Sequence, residues 1–202
     1  MKNNYKVIRQ AISKELADFT YQYLLLKRSV ARKYFDERYI SQFTTEWGVW
    51  NDQQIPETYS HYSDVLMETL LQKLKPLMEK ETDLKLNETY SYARIYKKDD
   101  ILNRHKDRYS CEISTTMNLG GDLWPIFIEP SGEKGKEGEK VILEPGDMLL
   151  YKGEKLEHWR EKFEGENCAQ VFLHYNDALG ENAEQNKYDG RSQLGLSSWF
   201  KS

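Results

Sequence analysis

Apolar positions recur at three-and-four spacing in the first part of the chain and at a spacing of two from Leu86 onward. Within 11–35, Leu16, Phe19, Tyr23, Leu26 and Val30 trace one stripe, which predicts an amphipathic helix, and Ser13 ahead of Glu15 and Leu16 is a start signal for it. Residues 36–56 carry Trp47 and Trp50 and end at Ile55-Pro56, which predicts a loop with one short extended piece; its aromatics either plug the core or rim a binding site. A second helix is expected over 57–81, bent or broken near Pro76, with Tyr62, Val65, Leu66, Thr69, Leu70, Lys73, Leu74 and Leu77 as its stripe.

After Leu86, Tyr90, Tyr92, Arg94 and Tyr96 alternate with Ser91, Ala93 and Ile95, the pattern of a strand with one amphipathic and one apolar face. Further strands are predicted at 111–119, 123–129, 140–143, 148–151 and 169–175. Gly120-Gly121-Asp122, the glycine- and lysine-rich 131–139 and Pro145-Gly146-Asp147 are turn material between them. The polar, glycine-rich tail reads as a meandering coil whose aromatic end, Trp199 and Phe200, docks back on the domain, or as a partly disordered segment. Helices first and strands after make a β sandwich or barrel with helices packed outside, and exclude a βαβ repeat. The expected organisation is a single domain over 1–202, with 1–85 mostly helical support, 86–177 the β core and 178–202 a tail.

Composition narrows the functional classes. With 202 residues, 31% charged and 13% aromatic, the chain suits a soluble globular domain. No run approaches a membrane span, and the start MKNNYKVIRQ lacks the apolar centre of a secretion signal, so the expected location is cytoplasmic. There Cys111 and Cys168 read as small buried hydrophobes. A net charge of −4 argues against nucleic acid as a partner, and the basic cluster at 27–33 reads as a solvated helix face.

The candidate chemistry begins at His105 and Asp107, whose side chains point to one side of an extended segment and can reach one ion. Alone the pair is weak: His-x-Asp arises by chance in about a quarter of such chains. His158, in a later β-rich segment, is the third member. Two imidazoles and one carboxylate are the ligand set of ferrous oxygen-activating sites, which leave open positions for other ligands. Of the remaining histidines, His61 reads as a surface residue and His174 as a strand residue outside any pocket.

The order of strand, HxD, strand, glycine turn, the segment LEPGDMLLY, His158 and the final QVFLHY resembles the iron(II)- and 2-oxoglutarate-dependent oxygenases, and most closely their prolyl 4-hydroxylase-like branch. The resemblance covers about residues 90–177. It implies a double-stranded β-helix, that is, a jelly roll with N-terminal helices. It also implies His105, Asp107 and His158 as Fe(II) ligands, Tyr96 as a pocket residue, and 2-oxoglutarate and O2 as cosubstrates, with ascorbate as an auxiliary reductant. The implied reaction is hydroxylation of an amino-acid or peptidyl, prolyl-type substrate.

One departure stands out. That branch opens its last strand with a Lys or Arg that pairs with the distal carboxylate of 2-oxoglutarate, whereas residues 166–170 here hold no cation. A buried carboxylate needs a partner. Arg94 and Arg160 are equal candidates, followed by Lys162, with Gln170 as a neutral helper; Arg94 as a structural ion-pair partner and Arg160 as a solvated loop charge are the competing readings. Loops 43–55 and 132–140 are either substrate rims or ordinary loops. Two other classes stay open: a cupin-like metal-dependent oxygenase without 2-oxoglutarate, and a non-enzymatic jelly-roll binding module.

Overall fold

A computed structural model describes residues 4–41 and 43–201; the last residue of the expected tail lies outside them. Among the described residues ten strands form two sheets. The larger has the order β1 (Tyr5–Ile8), β8 (Met148–Tyr151), β5 (Ile113–Gly121), β10 (Asn167–Asp177), β3 (Leu86–Lys97) and β2 (Tyr59–Tyr62). The smaller runs β4 (Leu102–His105), β9 (His158–Arg160), β6 (Ile126–Ile128) and β7 (Glu139–Val141). Every strand pairing among the described residues is antiparallel, and the two sheets face each other as a jelly roll. The mainly β class with N-terminal helices, expected from the sequence, is what the structure shows.

The period of two divides the large sheet into two chemistries. On β10, Ala169, Val171, Leu173 and Tyr175 join the buried core that helices α1 (Lys14–Asp36) and α2 (Val65–Thr82) cover. Cys168, Gln170 and His174 are buried on the opposite face, toward the small sheet. β5 divides likewise, with Ile113, Met117 and Leu119 in the helix-side core and Ser114, Thr116 and Asn118 buried on the inner side. The inner face is therefore unusually polar for a buried surface, and this polarity is where function has to be sought.

Helix α1 starts where the sequence indicates, with Ser13 accepting from Leu16 N at 3.2 Å. Its buried stripe, however, is Ala17, Thr20, Leu24 and Ala31, while Phe19 and Leu26 are exposed. Three of the four are small because α1 lies close on β5: a Cβ at Gly120 would sit 2.8 Å from the Tyr21 ring. The second helix begins at Val65, not near 57. Residues 59–62 pair with β3 as β2, and Asp64 caps the helix by accepting from Leu66 N and Met67 N. The helix runs on through Pro76. β1, not expected from the sequence, completes the edge of the large sheet beside β8.

The tail docks, but by polar groups and not by its aromatic end: Trp199 and Phe200 are 72% and 59% exposed. Arg191 reaches into the protein to pair with Glu68 of α2 at 2.8 Å, and Glu68 also accepts from Ser91 N on β3 and from Gly195 N of the tail. Both side chains are buried. Glu68→Ala would leave the guanidinium buried and unpaired, at an expected cost of about 3–5 kcal/mol. Urea unfolding checks this, with proteolysis of 188–201 as the local readout; an unchanged midpoint would contradict it.

Candidate active site

The inner polar face converges on three side chains. His105 ends β4 and His158 begins β9, and the two are direct cross-strand partners with ring centroids 4.3 Å apart. Asp107 follows two residues later, fixed by its own N–H bonding to Gly153 O at 2.9 Å. Its Oδ1 lies 3.7 Å from His105 Nε2 and 3.5 Å from His158 Nε2, and one ligand atom from each of the three residues falls within 4.8 Å of the others. Among the described residues this is the one such cluster of three or more metal-ligating groups.

The hydrogen bonds fix which nitrogens are free. His105 Nδ1 lies 2.7 Å from Asn103 O and His158 Nδ1 lies 3.1 Å from Leu156 O, so each Nδ1 carries the proton and donates. Both Nε2 lone pairs are left facing Asp107. The Gln54 amide at 3.2 Å from His105 Nε2 and the Tyr151 hydroxyl at 3.4 Å from His158 Nε2 are donors to those lone pairs. Burial, and then the proximity of His158, lower the His105 pKa, which favours the neutral imidazole a metal requires. Burial pushes the Asp107 carboxyl up, but His158, His174 and the Ser114 hydroxyl outweigh it and hold the group ionised, well below the usual carboxylate range.

Asp107 is also held from behind. Ser114 Oγ donates to Asp107 Oδ2 at 2.8 Å and lies 3.0 Å from His174 Nδ1. A Cβ at Gly153 would fall 2.3 Å from both Asp107 Oδ2 and Ser114 Oγ, so only glycine lets these elements meet. His174 is buried and stacks on Tyr90 at 4.5 Å, in contrast to its reading as a strand residue outside any pocket. His61 differs as well: it is buried, 3.2 Å from Asp64, although β2 is an edge strand, in which the neighbouring Ser60 is bridged by Val49.

Burial lowers the His174 imidazole to about 4 from its ordinary 6.5. As pH falls the unfolded chain takes up this proton first, so the associated stability is complete above 6.5 and is lost between 6.5 and 4. Over that window metal-free protein is expected to lose up to about 3 kcal/mol from this group alone. Urea unfolding as a function of pH tests it; a flat profile from pH 7 to 4 would be the contrary result.

The triad opens on a cavity of about 330 Å³, lined also by Tyr90, Tyr92, Arg94, Tyr96, Tyr151 and His174, with Asp52 and Gln54 reaching in from loop 43–55. The 132–140 loop contributes none of the lining residues.

No protein-family profile matches the chain, and no curated protein matches its sequence. Solved structures do match its fold. A Pseudomonas putida prolyl-4-hydroxylase superposes with a TM-score of 0.61 at 10% identity, over 87% of this chain and 93% of that one. AviO1 from Streptomyces viridochromogenes Tue57 gives 0.62 at 14% identity over 88% and 91%. HygX from Streptomyces hygroscopicus, with nickel and 2-oxoglutarate bound, gives 0.60 at 15% over 88% and 84%. The fold is that of the iron(II)- and 2-oxoglutarate-dependent oxygenases. At these identities the likeness is one of architecture, the double-stranded β-helix.

Within this oxygenase fold the two candidate arginines have opposite environments. Arg94 is paired: its Nη2 bonds Asp52 at 2.6 Å, and its Nη1 reaches Gln54 Oε1 at 3.0 Å and the Tyr96 hydroxyl at 3.3 Å. Arg160 points inward from β9 beside His158 and is fully buried. Its guanidinium donates to Trp124 O, to Gln170 Oε1 at 3.2 Å and to Thr116 Oγ1 at 3.5 Å, and its Nε has no partner. Among the described residues no carboxylate pairs with it, and burial lowers its pKa. Arg160 is thus no solvated loop charge. Lys162 is exposed and paired with Asp99, away from the cavity lining. Cys111 and Cys168 are free and buried, and no helix among the described residues is long and apolar enough to cross a membrane.

Proposed function

We propose that the chain is an iron(II)- and 2-oxoglutarate-dependent dioxygenase that hydroxylates an amino-acid or peptidyl substrate. The observation that carries this is the convergence of His105 Nε2, His158 Nε2 and Asp107 Oδ1, with both imidazoles held as Nδ1–H tautomers by backbone carbonyls. Two neutral imidazoles and one ionised carboxylate fit ferrous iron with ligand positions to spare. Iron(II) held there would supply O2 activation, in which 2-oxoglutarate is oxidatively decarboxylated to succinate and carbon dioxide and the second oxygen atom enters a substrate C–H bond.

The remaining work falls to the protein. Ser114 keeps Asp107 oriented, and the Asn103 and Leu156 carbonyls keep both ring nitrogens aimed inward. For 2-oxoglutarate, Arg160 is the better anchor. A guanidinium that is fully desolvated and has no anion beside it is costly unless one arrives; Arg160 is not itself among the residues lining the cavity, but Tyr96 and Tyr151, which are, lie close enough to interact with its charge. Thr116 and Gln170 hold the guanidinium in place. Arg94 already has Asp52.

The test is turnover. Protein supplied with Fe(II), 2-oxoglutarate, O2 and ascorbate is expected to release succinate, and His158→Ala to release none. Iron-loaded wild-type protein that forms no succinate with any amino acid or peptide offered would overturn the reading.

A further inference from the structure

The cavity contains an ion pair that neither the metal ligands nor the cosubstrate anchor uses. Arg94 on β3 and Asp52 on loop 43–55 are bonded side by side on the cavity wall, with the Tyr92 hydroxyl also donating to Asp52. The pair stands one carboxamide from the triad: Gln54 accepts from Arg94 through Oε1 and donates to His105 through Nε2. Arg94 is 2% exposed, yet its Nε has no hydrogen-bond partner. A buried ion pair is commonly no more stabilising than apolar residues of the same volume, so its presence inside a cavity asks for another role.

We infer that the Arg94–Asp52 pair is the head-group site for a small zwitterion, a free α-amino acid, whose side chain is thereby directed at the His105–Asp107–His158 centre. This rests on the oxygenase reading above and narrows its substrate class. An α-amino acid carries an ammonium and a carboxylate on one carbon. Set head-to-tail against a guanidinium and a carboxylate that are themselves adjacent, each of the four charges gains a second opposite neighbour. A peptide unit at the same place carries neither charge and would desolvate the pair without compensation. Size agrees: about 330 Å³ is the lower end of ligand cavities, and cosubstrate and substrate must share it.

The experiment uses iron-loaded protein with 2-oxoglutarate and each of the twenty proteinogenic amino acids, followed by the N-acetyl and C-amide forms of any that act. Two readouts are taken: succinate release above the substrate-free rate, and perturbation of the anaerobic visible band of the iron–2-oxoglutarate complex. At least one free amino acid is expected to raise succinate release about tenfold or more and to shift the band, and blocking either charge is expected to lower kcat/KM about 10²-fold or more. Asp52→Ala should reduce the discrimination against the N-acetyl form to less than about tenfold, which a pair that merely fastens the loop to β3 would not do. Blocked amino acids or peptides acting as well as the free forms would overturn the inference, as would a normal band that no amino acid perturbs. In those cases the oxygenase reading stands; absence of the band in wild-type protein would remove both.

Discussion

Asp107→Ala is expected to abolish iron binding and with it all succinate release. The carboxylate is the one anionic member of the triad, its Oδ1 lies within 3.7 Å of both imidazole Nε2 atoms, and no other carboxylate joins them among the described residues. Losing a supporting partner typically weakens a metal site by about 10–100-fold, so Ser114→Ala should fall in that range, and loss of the ligand itself should exceed it. Metal content after dialysis, with near-ultraviolet circular dichroism to confirm the fold, makes the comparison. Iron retained at the wild-type level in folded Asp107→Ala would refute the ligand assignment.

Arg160→Met is expected to separate function from stability. Without the guanidinium the distal carboxylate of 2-oxoglutarate loses its buried counter-charge, a loss of about 2–5 kcal/mol, which corresponds to a KM for 2-oxoglutarate raised by about 30-fold or more. Metal-free, cosubstrate-free protein should nevertheless unfold at an equal or higher temperature, since the change removes a desolvated charge with no anion beside it. Arg94→Met should do the reverse to stability, because it strands Asp52 in the cavity wall. Thermal unfolding with and without 2-oxoglutarate distinguishes the two. An Arg160→Met protein that is destabilised yet binds 2-oxoglutarate normally would show the residue to be structural.

Much of the β core was legible because alternation is a local property. The Tyr92, Arg94, Tyr96 face of β3, the Pro145-Gly146-Asp147 turn before β8 and the strand around 169–175 all follow from period two and turn chemistry. The same alternation, carried across β5, β8 and β10, also marks Ser114, Tyr151 and His174 as inward-facing, a signal present in the sequence but strong only once the neighbouring strands are known. Other features depend on partners distant in the chain. β1 is a strand because β8 offers an edge, and residues 59–62 leave the helical pattern because β3 does the same. The buried stripe of α1 holds three small residues, Ala17, Thr20 and Ala31, beside Leu24, because close approach to β5, and not hydrophobicity alone, selects them. The tail is held by Arg191 entering a site made by α2 and β3, which no pattern within the tail encodes. Likewise Arg94 and Arg160 are equivalent cations in the sequence; only Asp52, brought in by a loop, tells them apart.

The central claim is that His105, Asp107 and His158 hold iron in a cavity that also binds 2-oxoglutarate. Its most direct test is anaerobic titration of the Fe(II)-loaded protein with 2-oxoglutarate, followed by visible absorption. A saturable metal-to-ligand charge-transfer band is expected, absent in Asp107→Ala and requiring much higher 2-oxoglutarate in Arg160→Met. Folded, iron-loaded wild-type protein that shows no such band at any 2-oxoglutarate concentration would contradict the account.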